Sequence, residues 1–269
     1  MSQRNSKTAK AAARERLRLQ REKEAKRAKV RRQLMVGGGV VLVLAIAGGV
    51  AYAVNEMNKP GYWDDAAKNT LVKPAHTSGK DGTVITIGDP SNKNVVTEYE
   101  DLRCPICAAY EQAAGGSVLQ GAKDGKYRID YHFAAFIDDK DNGSGSKKAL
   151  SALGAALNVS VDAFEQYHTA LYAEKNHPEE TSDDYGSADK LLKVADQVPA
   201  LKGNKKFEDA VKKGTYDKWA LTVRDAYNKS SADVLKNGTP YVLVNGTQVK
   251  VPGMTAQQVE AAFAAQLKK

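Results

Sequence analysis

An α/β fold is predicted, in which a small sheet is broken into two parts by a block of helices. Three observations predict it. Runs of β-formers at 84–87 and 95–99 lead into a helix-like stretch that opens with Cys104-Pro105-Ile106-Cys107. Residues 127–133 alternate, with Tyr127, Ile129, Tyr131 and Phe133 on one face and Arg128, Asp130 and His132 on the other, the period of a half-buried strand. Near the C-terminus a strand at 241–244 meets a return strand at 247–251 through Asn245-Gly246, a hairpin signal, and a last helix follows.

The elements before this fold are read from charge. The 269-residue chain carries 40 Lys and Arg against 32 Asp and Glu. Residues 1–33 hold 13 of those cations and only three acids, Glu15, Glu22 and Glu24, so the positive excess belongs to this segment. The remainder is close to neutral, which argues against a nucleic-acid-binding face on the main domain. The stretch 11–32 is rich in helix formers without an apolar stripe, and reads as a solvated basic tail that meets anionic lipid heads.

Residues 34–54 hold no charge over 21 positions, enough to span a bilayer as one transmembrane helix. The cations flank only its N-terminal end, so the tail is expected in the cytoplasm and everything after Val54 outside the cell membrane. Ala51-Tyr52-Ala53 also has the form of a signal-peptide cleavage site. The long basic region and long apolar run favour an uncleaved single-pass anchor instead. Residues 55–82 contain Lys59-Pro60-Gly61 and Ser78-Gly79-Lys80-Asp81-Gly82, and read as an extracytoplasmic linker. The folded domain is then expected over 83–269.

Within that domain Asp89-Pro90-Ser91-Asn92 marks a turn, and Gly115-Gly116 interrupts the helix that follows the cysteines before it ends near Ala122. Helical patterns at 147–158, 161–174, 187–198, 205–213 and 216–230 form an insertion over about 147–232. Gly238-Thr239-Pro240 opens the strand at 241–244. Thr255 and Gln258 have capping-box spacing and start the last helix, with Val259, Ala262, Phe263 and Leu267 inward. Trp219 and Tyr216 read as core, His132 as a solvated strand residue, and Asp138, Asp139 and Asp141 as a solvated acidic loop without calcium-site spacing.

The chemistry rests on two cysteines, the only two in the chain, three positions apart at a strand-to-helix junction. Disulfide scaffolds need more cysteines at wider spacing. A closed zinc site needs four ligands, and His76, His132, His168 and His177 are scattered, so no metal and no cofactor are expected. Pro105 suits a first helical position, which places Cys104 at the helix N-terminus, where free N–H groups favour its thiolate. Cys107 lies one turn on. Cys104 is therefore expected to be exposed and partly ionised, and Cys107 to be the shielded thiol that resolves a mixed disulfide.

The segment Glu98-Tyr99-Glu100-Asp101-Leu102-Arg103-Cys104-Pro105-Ile106-Cys107, together with Gly238-Thr239-Pro240-Tyr241-Val242-Leu243-Val244-Asn245-Gly246, resembles the DsbA family of thioredoxin-like disulfide oxidoreductases, in its membrane-anchored, actinobacterial and Gram-positive form. The resemblance covers roughly 83–269 and implies a thioredoxin-like fold with an inserted helical domain. It implies that Pro240 is the cis-proline lying against the active-site disulfide, and that the backbone of Thr239 pairs with an extended substrate. It implies that Glu98 is a buried acid beneath the site, able to take the proton that Cys107 loses. Where the best-known oxidases carry His between the cysteines, this chain has Ile106, which leaves redox direction less defined than fold.

The function so implied is extracytoplasmic thiol-disulfide exchange with exported cysteine-containing proteins, reoxidised by a quinone-linked membrane partner. A reductase or isomerase fed by an electron-donating partner would use the same residues, and a tethered binding or chaperone module would not depend on the cysteines at all.

Overall fold

The computed structural model describes residues 10, 13–24, 26–33, 35, 46, 49–50, 61–141 and 143–268. Two compact units divide the chain, 1–61 and 62–269. In the first, residues 13–24 and 26–33 are helical and exposed, with Arg18 paired to Glu22 one turn on at 3.4 Å. The apolar segment 34–54 lies outside the described residues except at Met35, Ile46, Gly49 and Val50, and the first part of the expected linker, 55–60, lies wholly outside them. No helix among the described residues is long and apolar enough to cross a membrane.

The second unit begins at Tyr62 rather than Thr83, so residues 62–82 are folded and not linker. They form a short helix α1 (Tyr62–Ala66), which buries Ala66, and an edge strand β1 (Thr77–Ser78). The Gly82 carbonyl accepts a 2.7 Å hydrogen bond from the buried Trp219 indole. The turn residues in this stretch do punctuate the chain, but side chains on both sides of them are anchored.

Strands β2 (Val84–Ile87), β3 (Val95–Asp101), β4 (Arg128–Ala134), β5 (Tyr241–Val244) and β6 (Thr247–Val249) complete a sheet of order β1-β2-β4-β3-β5-β6. Only the β3–β4 pair is parallel, with Val96 opposite Ile129, Glu98 opposite Tyr131 and Glu100 opposite Phe133. Its crossover helix, α2, runs from Pro105–Tyr110 through a π-helical Glu111–Gly115 into Gly116–Lys123. Gly115-Gly116 does not interrupt α2. Asn245 (φ 51°) and Gly246 (φ 83°) make the β5–β6 turn, as two positive φ values require.

Between β4 and β5 lie α3 (Phe136–Asp141), α4 (Gly145–Leu157), α5 (Val161–Tyr172), α6 (Ala188–Ala195), α7 (Lys205–Lys213), α8 (Asp217–Tyr227) and α9 (Ala232–Asn237). The helical insertion is thus wider than 147–232 at both ends, because α3 and α9 are too short to show periodicity. α10 (Ala256–Ala264) is opened by the expected Thr255–Gln258 capping box. Val259 and Phe263 are buried on its inner face, with Ala262 and Leu267 partly buried against the same core.

The core-facing side of β3 and β4 carries Val96, Glu98, Glu100, Ile129, Tyr131 and Phe133, all buried. Apolar positions there contribute roughly 1.5–3 kcal/mol each. Two carboxylates in the same row therefore need an explanation other than packing. On the opposite face His132 is half-buried and stacks on Tyr99 at 4.7 Å, so it is not a solvated residue. Trp219 and Tyr216 are core residues as expected.

Candidate active site

Cys104 is the N-cap of α2, with extended backbone (φ −73°, ψ 119°), and Pro105 is the first helical residue. Proline fits because its fixed φ is helical and its absent N–H would have had no partner there. Asp101 holds the turn before it. One of its carboxylate oxygens accepts from Arg103 N at 3.0 Å and from Ser146 Oγ at 2.6 Å, the other from Ile137 N at 3.3 Å. Arg103 is buried and pairs with Asp138 at 2.9 Å, and Asp138 also accepts from the backbone N–H groups of Ser146 and Lys147 at the start of α4. Asp139 and Asp141 are exposed as expected, but the Asp138 side chain is 0% exposed and belongs instead to an internal ion network that ties the cysteine turn to the helical insertion.

Both cysteines are free thiols. Cys104 is 5% exposed and Cys107 0%, so Cys104 is the outer thiol of the pair but is covered rather than open. What covers it is the loop before β5. The Thr239–Pro240 peptide is cis, and the Thr239 carbonyl lies 3.4 Å from Cys104 Sγ. Ile106, between the two cysteines, is 49% exposed and forms the apolar rim.

The two thiols are driven apart in acidity. Cys104 is pulled down to about 6, chiefly by a hydrogen bond from the Cys107 thiol, with the Thr239 hydroxyl and the Cys107 and Ile106 N–H groups adding to it against burial. Cys107 is pushed well up by burial first and then by its hydrogen bond to Cys104. Ultraviolet thiolate absorbance should accordingly titrate with a midpoint near 6 for one thiol only. Thr239 Oγ1 is buried without a hydrogen-bond partner beside the thiols, free to turn toward a Cys104 thiolate, so Thr239→Val keeps the shape and removes that donor. The Cys104 midpoint should rise by about one unit in that variant; an unmoved midpoint would remove the hydroxyl from the account.

Glu98 is buried beneath α2, as the resemblance implies, and accepts from Tyr110 Oη at 2.7 Å. Burial, then the Glu111 charge, push it up to about 8. Glu98 is not the only acid there. Glu100, two residues on and 1% exposed, is pushed well up by burial and then by the Glu98 charge, and adds a small upward push on Cys107. Glu100 is bonded to His168 of α5, with Oε2 2.9 Å from Nε2, and His168 Nδ1 lies 3.8 Å from Glu111 Oε2 of α2. One donor atom from each of Glu100, Glu111 and His168 lies within 4.8 Å of the others, a set that sequence spacing could not reveal because α2, β3 and α5 supply one residue each.

A raised carboxyl pKa has a sign in stability. Glu98 binds its proton more tightly folded than unfolded, so its contribution is full below about 4.5 and is lost as pH rises through about 8. Glu98→Gln removes that loss and lets Tyr110 keep an acceptor. Its stability relative to the parent should therefore grow across that window, by on the order of 3 kcal/mol. Urea unfolding at several pH values measures it, and a gap that stays constant with pH would show that Glu98 is ionised when folded.

A sheet with a cysteine pair capping its crossover helix, and a cis-proline loop laid over the first sulfur, defines the thioredoxin class. A family model described as Thioredoxin matches residues 80–266, and the chain belongs to that family. The similar solved structures are of the DsbA kind. The reduced disulfide bond oxidoreductase DsbG of Mycobacterium tuberculosis is 27% identical, with a TM-score of 0.54, covering 71% of this chain and 85% of that one. Reduced DsbA of the same organism is 25% identical, TM-score 0.53, covering 71% and 90%. MdbA, a thiol-disulfide oxidoreductase of Actinomyces oris, is 19% identical, TM-score 0.59, covering 75% and 93%, and supports the fold. No curated protein matches the chain.

Proposed function

We propose that the chain is a thiol-disulfide oxidoreductase that oxidises the cysteines of exported proteins through Cys104 and Cys107. The observation that carries this reading is the asymmetry of the pair: an outer thiol lowered to about 6 at the N-terminus of α2, and a fully buried partner pushed upward. A low outer pKa makes Cys104 a good leaving group and stabilises the reduced form, which makes the disulfide oxidising. In exchange, a substrate thiolate attacks Cys104 Sγ, and the Cys104–Cys107 bond breaks. The second substrate thiolate then attacks the substrate sulfur of the mixed disulfide and releases Cys104. The substrate gains a disulfide, and the protein gains one thiol at Cys107 and one thiolate at Cys104.

Thr239 and Pro240 frame the groove in which an extended substrate would pair with backbone. Glu98 and Glu100 lie beneath, where protons move. Reoxidation falls to a quinone-linked membrane partner, in keeping with the family. The redox state of the pair in growing cells, read by thiol alkylation, tests the direction: a mostly oxidised pair is expected, and a mostly reduced pair would make the protein a reductase or isomerase.

The uncharged segment 34–54, with its 13 preceding cations, supports a single-pass anchor with the catalytic unit outside. A membrane-impermeant thiol reagent should label Cys104 in intact, reduced cells. Labelling that requires lysis would place the unit in the cytoplasm.

A further inference from the structure

We propose that Glu100, Glu111 and His168 form a zinc site that pins the cysteine helix α2 to β3 and α5. The three residues come from different elements and meet in the core. Each offers one donor atom, and these atoms lie within 4.8 Å of one another. His168 Nε2 stands 2.9 Å from Glu100 Oε2, and its Nδ1 stands 3.8 Å from Glu111 Oε2. Donors on one zinc, each about 2.0–2.2 Å from it, stand no more than about 4.4 Å apart. On that geometry the set closes with side-chain shifts of about half an ångström.

Hydrogen bonds alone leave this cluster unfinished. Glu98, Glu100 and Glu111 bring three carboxyls into one interior, and among the described residues no Lys or Arg pairs with any of them. Glu98 Oε2 and Glu100 Oε1 are buried without a hydrogen-bond partner. A buried carboxylate oxygen in that condition is costly unless a cation meets it. Glu100 Oε1, being uncommitted, can add a fourth bond as the second arm of a bidentate carboxylate.

The backbone of α2 is shaped to bring Glu111 in. The helix takes a π turn over Glu111–Gly115, a local rearrangement often found at functional sites. A Cβ on Gly115 would stand 2.1 Å from Glu111 Oε2, so the absent side chain is what admits the carboxylate. The Glu111 side chain keeps 7% of its surface, the most of the two ligands on His168, and gives an ion its way in.

The donors select the ion. One imidazole and two carboxylates suit zinc among the first-row divalent ions. Calcium takes about six to eight oxygens, and magnesium keeps several waters. Here the imidazole is walled by Tyr131 at 5.1 Å, Phe164 at 5.7 Å and Tyr172 at 5.0 Å, which suits neither. Zinc has no redox chemistry of its own, so it can lie near a thiol pair without exchanging electrons with it. A count of cysteines and histidines passes over the set, because two of its three donors are glutamates.

The test is zinc content. The untagged full chain, purified in detergent in its disulfide form so that neither cysteine can ligate, is stripped with EDTA, incubated with zinc alone and freed of excess by gel filtration. One zinc per chain should remain, and zinc at about 100 times its Kd should raise Tm by about 5 °C or more. Glu111→Gln and His168→Gln should each weaken zinc binding by about tenfold or more. Gly115→Ala suits the helical backbone there (φ −53°) and displaces only the end of the Glu111 side chain, so it should fold and still lose zinc. Glu111→His keeps a ligand and should retain most of the metal. No zinc on the oxidised parent, or parental zinc in both Glu111→Gln and Gly115→Ala, would overturn the site and leave the exchange reading intact. Zinc bound only after reduction, and lost in Cys104→Ser, would make the two thiols the ligands and overturn it as well.

Discussion

Cys104→Ser is expected to lose thiol exchange by about a thousandfold or more, because no other nucleophile stands at the N-terminus of α2. Cys107→Ser should behave differently. Its Cys104 remains an attacking thiol but has no intramolecular partner to release what it captures. Exported cysteine-containing proteins should therefore accumulate as mixed disulfides on Cys104, visible on a non-reducing gel and absent after reduction. The asymmetry follows from position. Cys104 lies against the Thr239 carbonyl at the rim, whereas Cys107 is sealed one turn in, with no exposed surface. Adducts on Cys107 in the Cys104→Ser protein would reverse the assignment. Undiminished activity in both variants would make the protein a binding module.

The largest effect on stability is expected at Asp138, outside the redox pair. Asp138 is 0% exposed, faces Arg103 at 2.9 Å and Lys147 at 3.4 Å, and accepts two backbone N–H groups at the start of α4. Asp138→Ala leaves two buried cations and two N–H groups without that acceptor, at a cost of about 3–5 kcal/mol. Asp138→Asn keeps part of the hydrogen bonding and should cost less. Denaturant unfolding of the two variants measures this, and a loss under about 1 kcal/mol for Asp138→Ala would mean that water replaces the carboxylate. Because Arg103 immediately precedes Cys104, the same variant should also broaden the reactivity of the outer thiol.

The parts of this architecture that repeat along the chain were legible from it. Alternation marked β4, the hairpin signal marked β5 and β6, and the Thr255–Gln258 box marked α10. The cysteine pair was legible because local chemistry and local geometry coincide there, whereas the Thr239-Pro240 loop was legible only through the family resemblance. What was not legible depends on contacts across the fold. Asp138 sits among acids and turn formers and reads as solvent-facing until Arg103 comes to meet it. Glu100 looks like any strand glutamate, and only His168 of α5, 68 residues away, distinguishes it. Gly115 carried a true signal with the wrong cause, since it accommodates a carboxylate and does not break the helix. Residues 62–82 have the composition of a linker, yet Trp219 and the β1–β2 pairing hold them in place.

The central claim is that electrons pass through Cys104 and Cys107. It is tested most directly by mixing the oxidised chain with one equivalent of a reduced dithiol peptide and counting thiols on both by mass spectrometry after alkylation. The account predicts one disulfide gained by the peptide and two alkylated thiols gained by the protein, at Cys104 and Cys107. A peptide still fully reduced after prolonged incubation, beside a protein whose Cys104–Cys107 disulfide is intact, would contradict it.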